Sequence, residues 1–84
     1  MFYFYILKCK DGSLYSGSTK DLKARELAHN SGKGSKYVTA HGGGKIIYHE
    51  KFRSWRKTLK REAAVKKISR ENKLLLIKKK KTTK

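Results

Sequence analysis

The N-terminal segment of the chain, residues 2–18, reads FYFYILKCKDGSLYSGS. Its first eight residues are mostly aromatic and aliphatic, a composition typical of a β-strand. The residues KDGS at 10–13 join an aspartate to a glycine and are typical of a tight turn. The residues that follow, 14–18, predict a second and shorter strand, so the whole segment predicts a β-hairpin.

The connection between the two strands controls which side chains share a face of the hairpin. We expect a three-residue loop that ends with Gly12 in the left-handed conformation, which glycine adopts easily. This loop pairs Leu7 with Tyr15 and Tyr5 with Gly17, so that the two tyrosines lie on one face. A two-residue loop would instead place them on opposite faces.

The remaining chain predicts one more strand and three helices. The first predicted helix runs to about residue 30 and is capped by Thr19 or Asp21. A basic glycine-containing loop follows at 31–36, then a partly extended segment at 37–39 and a strand at 45–51. A second helix begins at about residue 54, and the last helix, capped by Ser69, extends to residue 77. The order β-β-α-β-α-α indicates an α/β (α+β) domain with a small three-stranded antiparallel sheet flanked by helices. We assign residues 1–77 to this domain and residues 78–84 to a basic C-terminal tail.

The first predicted helix has two different faces. Arg25 and His29 are one turn apart and lie side by side on a stripe that begins with Leu22. The opposite face is mostly apolar and is expected to meet the core; it comprises Ala24, Leu27 and Ala28.

The composition limits the class of protein. The chain has 84 residues, a mass of 9.7 kDa and a mean hydropathy of −0.79, which suit one small domain with a thin core. These values exclude a membrane protein, and the apolar N-terminus is too short for a membrane span or an export signal. The single cysteine, Cys9, excludes a disulfide framework and indicates a cytoplasmic protein, associated with the nucleoid if the source is bacterial.

The net charge indicates the partner. Lys and Arg number 23 against six Asp and Glu, which gives a formal charge of +17. Such a domain repels itself unless an anion neutralises it, and nucleic acid is the commonest such anion. DNA is the first candidate and RNA the second, with an acidic membrane surface or a heparin-like polymer as the alternative. The basic run that is expected to contact nucleic acid, or else to end a helix as a solvated tail, comprises Lys78, Lys79, Lys80 and Lys81.

Two kinds of site are disfavoured by residue spacing. The glycine-containing segment at 12–19 lacks the lysine of a phosphate-cradling loop, because Ser18 stands at that place. The three histidines and Cys9 do not have the spacing of zinc ligands.

Glu62 lies within the apolar stripe of the helix that begins near residue 54, between Leu59 and Val65 on a helical wheel. A carboxylate at such a place is costly unless it is paired or binds a cation. An ion pair with Lys66, one turn later, is the ordinary explanation. A ligand for Mg²⁺, which needs few protein oxygens, is the alternative.

Taken in order, the motifs of this chain resemble the GIY-YIG nuclease domain. The matching residues are Tyr3-Phe4-Tyr5, Leu14-Tyr15-Ser16-Gly17, Arg25, His29 and Glu62. The resemblance covers residues 1–77 and is greatest to the small stand-alone bacterial members of that family. The first motif lacks its glycine, and Ser16 replaces the isoleucine of the second.

The resemblance implies a metal-dependent endonuclease that hydrolyses phosphodiester bonds in DNA and selects structures rather than sequences. Tyr15 would be the general base, and Tyr5 would hydrogen-bond the attacking water or the scissile phosphate. Arg25 would neutralise charge in the transition state, and His29 would orient the phosphate or assist proton transfer. Glu62 would hold a Mg²⁺ or Mn²⁺ ion that stabilises the leaving oxygen.

The segment at 38–44 differs from the pattern of the small relatives, which carries more basic residues. We expect Lys33, Lys36 and Lys45 to provide the nucleic-acid contacts of this region. Two alternative functions are a non-catalytic nucleic-acid-binding module and an accessory subunit that a partner protein targets. The five matching site residues together favour the enzyme over both.

Overall fold

The structure is a computed structural model that describes residues 1–82 and the side chains of residues 1–79. Its sheet consists of β1 (Phe2–Cys9), β2 (Leu14–Thr19) and β3 (Gly44–Phe52). The strand order is β2-β1-β3, and both pairings are antiparallel. The predicted three-stranded antiparallel sheet is therefore confirmed, with β1 at its centre.

The turn between β1 and β2 has the predicted form. Gly12 has a φ of +91°, and its N–H donates to the carbonyl oxygen of Cys9 at 2.9 Å. The Cys9 N–H donates in turn to the carbonyl oxygen of Ser13 at 2.8 Å. Leu7 pairs with Tyr15 as expected, and the two phenol rings share one face of the hairpin with centroids 6.4 Å apart.

Four helices occur within residues 1–82. They are α1 (Leu22–Asn30), α2 (Lys36–Ala40), α3 (Trp55–Lys66) and α4 (Arg70–Thr82). The predicted Asp21 cap of α1 is confirmed, since its carboxylate accepts the Ala24 N–H at 3.0 Å. The predicted Ser69 cap is confirmed in the same way by the Asn72 N–H at 3.1 Å.

The expectation of a partly extended segment at 37–39 is wrong, because these residues form α2. The Ser35 hydroxyl caps this helix by accepting the Tyr37 N–H at 3.1 Å, and the Thr39 hydroxyl donates to the Ser35 carbonyl oxygen. Val38 is fully buried against the sheet. A five-residue helix is too short to show a helical period in the sequence, so its cap and its packing are what stabilise it.

Different helices cover the two faces of the sheet. On one face, the core beneath α3 and α4 contains Phe4, Ile6, Tyr48, Val65 and Ile77. On the other face, the smaller core beneath α1 and α2 contains Tyr5, Leu7, Cys9 and Val38. Strand β1 contributes to both because successive side chains of a strand point to opposite faces.

The predicted core face of α1 is wrong. Leu27 is 72% exposed, and the stripe of Leu22 and His29 faces the sheet instead. A buried histidine is tolerated when both ring nitrogens have hydrogen-bond partners, and the fold supplies both. The helix therefore presents the stripe of Leu22 and His29 to the sheet and Leu27 to solvent.

The basic run Lys78–Lys81 lies within α4, which continues to Thr82. Residues 83 and 84, the end of the predicted tail, lie outside the described residues. Within residues 1–82, no helix has the length and apolar character needed to cross a membrane.

Candidate active site

Tyr5 stands at the centre of the candidate site. It is fully buried on the α1 side of the sheet, and its hydroxyl oxygen lies 2.8 Å from Nε2 of His29. The phenol end lies directly over Gly17 of β2, where a Cβ would approach the Tyr5 hydroxyl to 2.5 Å. Glycine is thus required at position 17 because the Tyr5 phenol lies against this backbone, and not because of the backbone conformation.

The hydrogen bonds of His29 fix its tautomer. The Ser35 backbone N–H donates to Nδ1 at 3.1 Å, so a neutral ring carries its proton on Nε2. Nε2 therefore donates to the Tyr5 oxygen, which leaves the phenol proton free for another acceptor. Gly34 packs so closely on the imidazole that any side chain there would overlap the ring. Burial, and to a smaller extent the charge of Arg25, lowers the pKa of His29.

Arg25 lies one turn before His29 on α1. Burial raises the pKa of Tyr5, and the neighbouring Arg25 guanidinium opposes that rise through a hydrogen bond and its charge. The Nε atom of Arg25 is buried and has no hydrogen-bond partner within the described part of the chain. The guanidinium thus stands beside the phenol with a donor unused.

Tyr15 completes the aromatic part of the site. Its ring centroid lies 5.4 Å from that of His29 and 5.8 Å from that of Tyr37, on which it stacks. Tyr37 is 43% exposed and packs in turn against the ring of His41 at 4.2 Å. The sequence analysis did not identify Tyr37 as a site residue. The serine cap two residues before it, which creates α2, is the signal that could have placed it there.

Glu62 reaches the site from the other side of the sheet. Its carboxylate is 19% exposed, and Oε1 accepts the Ser18 hydroxyl proton at 2.6 Å. Oε2 pairs with Nζ of Lys66 at 2.8 Å, so the ordinary explanation for this acid is present. Ser18 is the residue after Gly17, and the carboxylate is therefore held at the free edge of β2, next to the strand position beneath the Tyr5 hydroxyl.

Electrostatic interactions connect Glu62 to Tyr5, and its partner Lys66 to Tyr15. Glu62 contributes to the rise in the pKa of Tyr5. The pKa of Lys66 is raised chiefly by its hydrogen bond to Glu62 and, to a smaller degree, by Tyr15. Neither phenol hydrogen-bonds Glu62 within the described residues. The structure thus brings Tyr5, Tyr15 and His29 into contact and places Glu62 at the border of that group.

The donor set fits a hard divalent cation with a single protein ligand. Among the described residues, no three His, Cys, Asp or Glu side chains converge on one point. Glu62 offers carboxylate oxygens, the ligand type of Mg²⁺, and Mg²⁺ commonly keeps water and substrate phosphate in its other positions. The Lys66 ammonium competes for the same carboxylate.

The lysines predicted to contact nucleic acid are exposed on several elements. Lys33 and Lys36 flank the loop that covers His29. Lys45 lies on β3, and Lys78 and Lys79 lie on α4. Lys80 and Lys81, which were also predicted, lie outside the described side chains.

Comparison with known proteins identifies the family. Residues 1–75 match the sequence profile of the GIY-YIG catalytic domain. A UPF0213 protein of Staphylococcus saprophyticus is 47% identical over 75 residues, which cover 89% of this chain and 92% of that protein. A UPF0213 protein of Clostridium perfringens is 49% identical over 77 residues, which cover 92% of this chain and 83% of that protein.

A solved structure agrees with these matches. The solution NMR structure of a UPF0213 protein from Bacillus halodurans superposes with a TM-score of 0.59 at 40% identity and covers 93% of this chain and 84% of that one. GIY-YIG domains are generally nucleases that act on nucleic acid and typically use a divalent metal. The chain belongs to the GIY-YIG family, among relatives that are small bacterial UPF0213 proteins.

Proposed function

We propose that this protein is a Mg²⁺- or Mn²⁺-dependent endonuclease that hydrolyses phosphodiester bonds in DNA. The observation that carries the proposal is the buried Nε of Arg25, which has no partner within the described residues and belongs to a guanidinium beside Tyr5. A buried donor without an acceptor costs about 1–3 kcal/mol, and more when it is charged. A phosphate oxygen would supply the acceptor, since the planar guanidinium matches phosphate geometry.

Tyr15 is the proposed general base. A phenol has an ordinary pKa of about 10 and accepts few protons at neutral pH unless a cation stabilises the phenolate. The Lys66 ammonium, which pairs with Glu62 at 2.8 Å, is one positive charge at the border of the site. A divalent ion held by Glu62 would polarise the phosphate and stabilise the leaving oxygen when it is bound.

Tyr5 is the proposed ligand of the attacking water or the scissile phosphate. Because His29 donates to the Tyr5 oxygen, the phenol proton is directed away from the imidazole and is available to such an acceptor. His29 is 1% exposed and uses both nitrogens inside the protein. We therefore assign His29 a positioning role through Tyr5 in place of a contact with phosphate.

Selection by structure follows from the kind of contacts available. Arginine and lysine contacts to phosphate fix the position of a nucleic acid but carry no sequence information. The site residues are one guanidinium, phenols and a carboxylate, in a chain whose excess charge is lysine and arginine. Nicks, flaps and ends, which expose a phosphodiester bond, are the substrates that such a site suits.

The first prediction concerns cleavage in the presence of Mg²⁺. We expect Tyr15→Phe and Glu62→Ala to lose at least about 100-fold in the rate of cleavage of single-stranded, nicked or branched DNA, the range ordinary for a general base. Both variants should keep most of their salt-sensitive binding, because neither change removes a basic residue. Tyr3→Phe, the same chemical change on the half-buried tyrosine two residues before Tyr5, is the matched control and should cleave like the parent protein.

Three outcomes would contradict the proposal. Equal cleavage by the parent, Tyr15→Phe and Glu62→Ala would remove the assigned site. Tight binding without cleavage of any substrate would instead indicate a non-catalytic nucleic-acid-binding module. Cleavage that appears only with a second protein would indicate an accessory subunit.

A further inference from the structure

We propose that a cavity at the β1–β3 end of the sheet is a second phosphate-binding subsite, which holds the nucleic-acid backbone away from the tyrosines. The identity of its ligand rests on the proposed function. The cavity has a volume of about 430 Å³ and lies where β1, β3 and α1 meet. The residues of its lining that matter are Lys8, Lys10, Lys45, Glu26, Asn30 and Gly44.

Three lysines converge on this cavity from neighbouring positions. Lys8 and Lys45 are directly opposite each other in the β1–β3 pairing. Like charges at such positions destabilise a sheet, because the two Cβ atoms are about 5 Å apart. Lys10 follows two residues after Lys8, and its backbone N–H donates to the Gly43 carbonyl oxygen at 2.9 Å.

No carboxylate within the described side chains pairs with these three lysines within 4.0 Å. The opposed positive charges are therefore a cost to the folded protein that no direct ion pair offsets, and Glu26 is the one carboxylate in the lining. An anion bound between the ammonium groups would remove this cost. The cross-strand pair is for this reason better explained by a ligand than by packing.

The floor of the cavity is held rigidly by α1. The Glu26 carboxylate accepts the Ile46 N–H at 2.6 Å. The Asn30 amide accepts the Gly44 N–H at 2.9 Å and donates to the Gly44 carbonyl oxygen at 2.8 Å. Its hydrogen bond directs the Glu26 carboxylate toward the β3 backbone. The three lysine ammonium groups are therefore the charges available to a ligand in the cavity. With three lysines and one glutamate, the lining carries a net charge of +2, which suits one or two backbone phosphates.

The position of the cavity relates it to the candidate active site. Helix α1 contributes to both places. Arg25 and His29 lie beside Tyr5. The next residue after each, Glu26 and Asn30, lines the cavity. Lys8 lies three residues after Tyr5 on β1, so its side chain points to the opposite face of the sheet. A nucleic-acid strand with one phosphate at Arg25 and another in the cavity would therefore pass around the end of the sheet at which β1, β3 and α1 meet.

The test compares two double variants that lose the same charge. Lys8→Gln/Lys45→Gln alters the cavity, and Lys57→Gln/Lys60→Gln removes two exposed lysines from α3 as the matched control. Binding of a single-stranded oligodeoxynucleotide is measured in EDTA by fluorescence anisotropy over a range of NaCl concentrations. We expect the cavity variant to lose about tenfold in affinity at low salt and its log–log salt slope to fall by about 1.4, the value for two lost phosphate contacts on a single strand. The control should change by less than about threefold in affinity.

A second measurement distinguishes backbone phosphate from free phosphate. Without any polyanion, the cavity variant should melt at a higher temperature than the parent, because the opposed charges are gone. The oligonucleotide should raise the melting temperature of the parent and the control more than that of the cavity variant. If both double variants changed the affinity, the salt slope and the melting temperature equally, the oligonucleotide would be attracted by the overall charge and the proposed subsite would be wrong. The same melting experiment is repeated with inorganic phosphate in place of the oligonucleotide. If phosphate distinguished the cavity variant from the control and the oligonucleotide did not, the ligand would be free phosphate and the backbone assignment would be wrong. Since no measurement involves cleavage, an inactive parent protein would affect only the proposed function.

Discussion

His29 shows how single side chains of the site are fixed. Its pKa is lowered by burial and by Arg25, and both ring nitrogens already have partners in the neutral form. In the unfolded chain the imidazole returns to its ordinary pKa of about 6.5. Below that pH the unfolded state binds the additional proton, so the folded state loses stability as the pH falls, and above it His29 has no such effect.

We therefore predict that the parent protein loses stability as the pH falls below about 6.5, by up to about 1.4 kcal/mol per pH unit. Replacing the imidazole by an amide, in His29→Gln, should lower stability at pH 7.5 but flatten this pH dependence. Urea unfolding at several pH values measures both effects. Ser31→Ala, which removes no titratable group at the end of the same helix, is the control and should retain the parental slope. Parallel curves for the parent and His29→Gln would contradict the assignment of a buried, neutral imidazole with a lowered pKa.

The sequence predicts the placement of those side chains that depend on residues close to them in the chain. The placement of Tyr5 and Tyr15 on one face follows from the single turn residue Gly12, and the structure confirms it. The partners of Glu62 could not be predicted in full: Lys66 is one helical turn away, but Ser18 lies 44 residues away. Only the packing of α3 across β2 brings that hydroxyl to the carboxylate.

Helix α1 is the element on which both proposed sites depend. It is attached to the edge of β3 by the Asn30 amide, whose bonds to Gly44 satisfy backbone groups that an edge strand otherwise leaves to solvent. We predict that Asn30→Ala lowers the free energy of unfolding by about 1–3 kcal/mol, because a partly buried N–H and C=O both lose their partner. Urea denaturation measures this loss, and hydrogen exchange at the Gly44 amide reports where it arises.

The adjacent residue offers a control for this prediction. The Ser31 hydroxyl donates to the Ala28 carbonyl oxygen at 3.1 Å at the exposed end of the same helix. Ser31→Ala should therefore change stability by less than about 0.5 kcal/mol. If Asn30→Ala were as stable as Ser31→Ala, the attachment of α1 to β3 would contribute nothing measurable.

The elements that the sequence predicts correctly are those with strong local signals. The Asp21 cap predicts the start of α1, and the Ser69 cap predicts the start of α4. The turn at Gly12 predicts the hairpin. The predicted orientation of α1 is wrong, because apolar periodicity favours Leu27 as the core residue. Its inward face is determined instead by two hydrogen bonds of His29, which donates to the Tyr5 hydroxyl oxygen and accepts the Ser35 N–H.

At the scale of the whole molecule, charge is the dominant property. The described chain measures about 30 × 27 × 25 Å, and the sequence carries a formal charge of +17. Ion pairs within the described side chains join Arg61 to Glu50 and Lys66 to Glu62, and His41 hydrogen-bonds Asp11. Since basic residues outnumber acidic ones 23 to six, most positive charges repel one another. A polyanionic partner such as nucleic acid relieves this repulsion.

This repulsion predicts a stability that rises with salt. At 0.01 M ionic strength the Debye length is about 30 Å, as large as the molecule, so that nearly every pair of charges interacts. At 0.15 M it is about 8 Å, and only neighbours do. Raising NaCl from 0.01 to 0.15 M should therefore increase stability by about 1 kcal/mol, which corresponds to about 4–8 °C in melting temperature for a domain of this size. Lys57→Gln/Lys60→Gln should show a smaller increase because less repulsion remains to be screened. A melting temperature that falls with salt would mean that attractive pairs outweigh the excess of positive charge, and the case for a polyanionic partner would lose its physical basis.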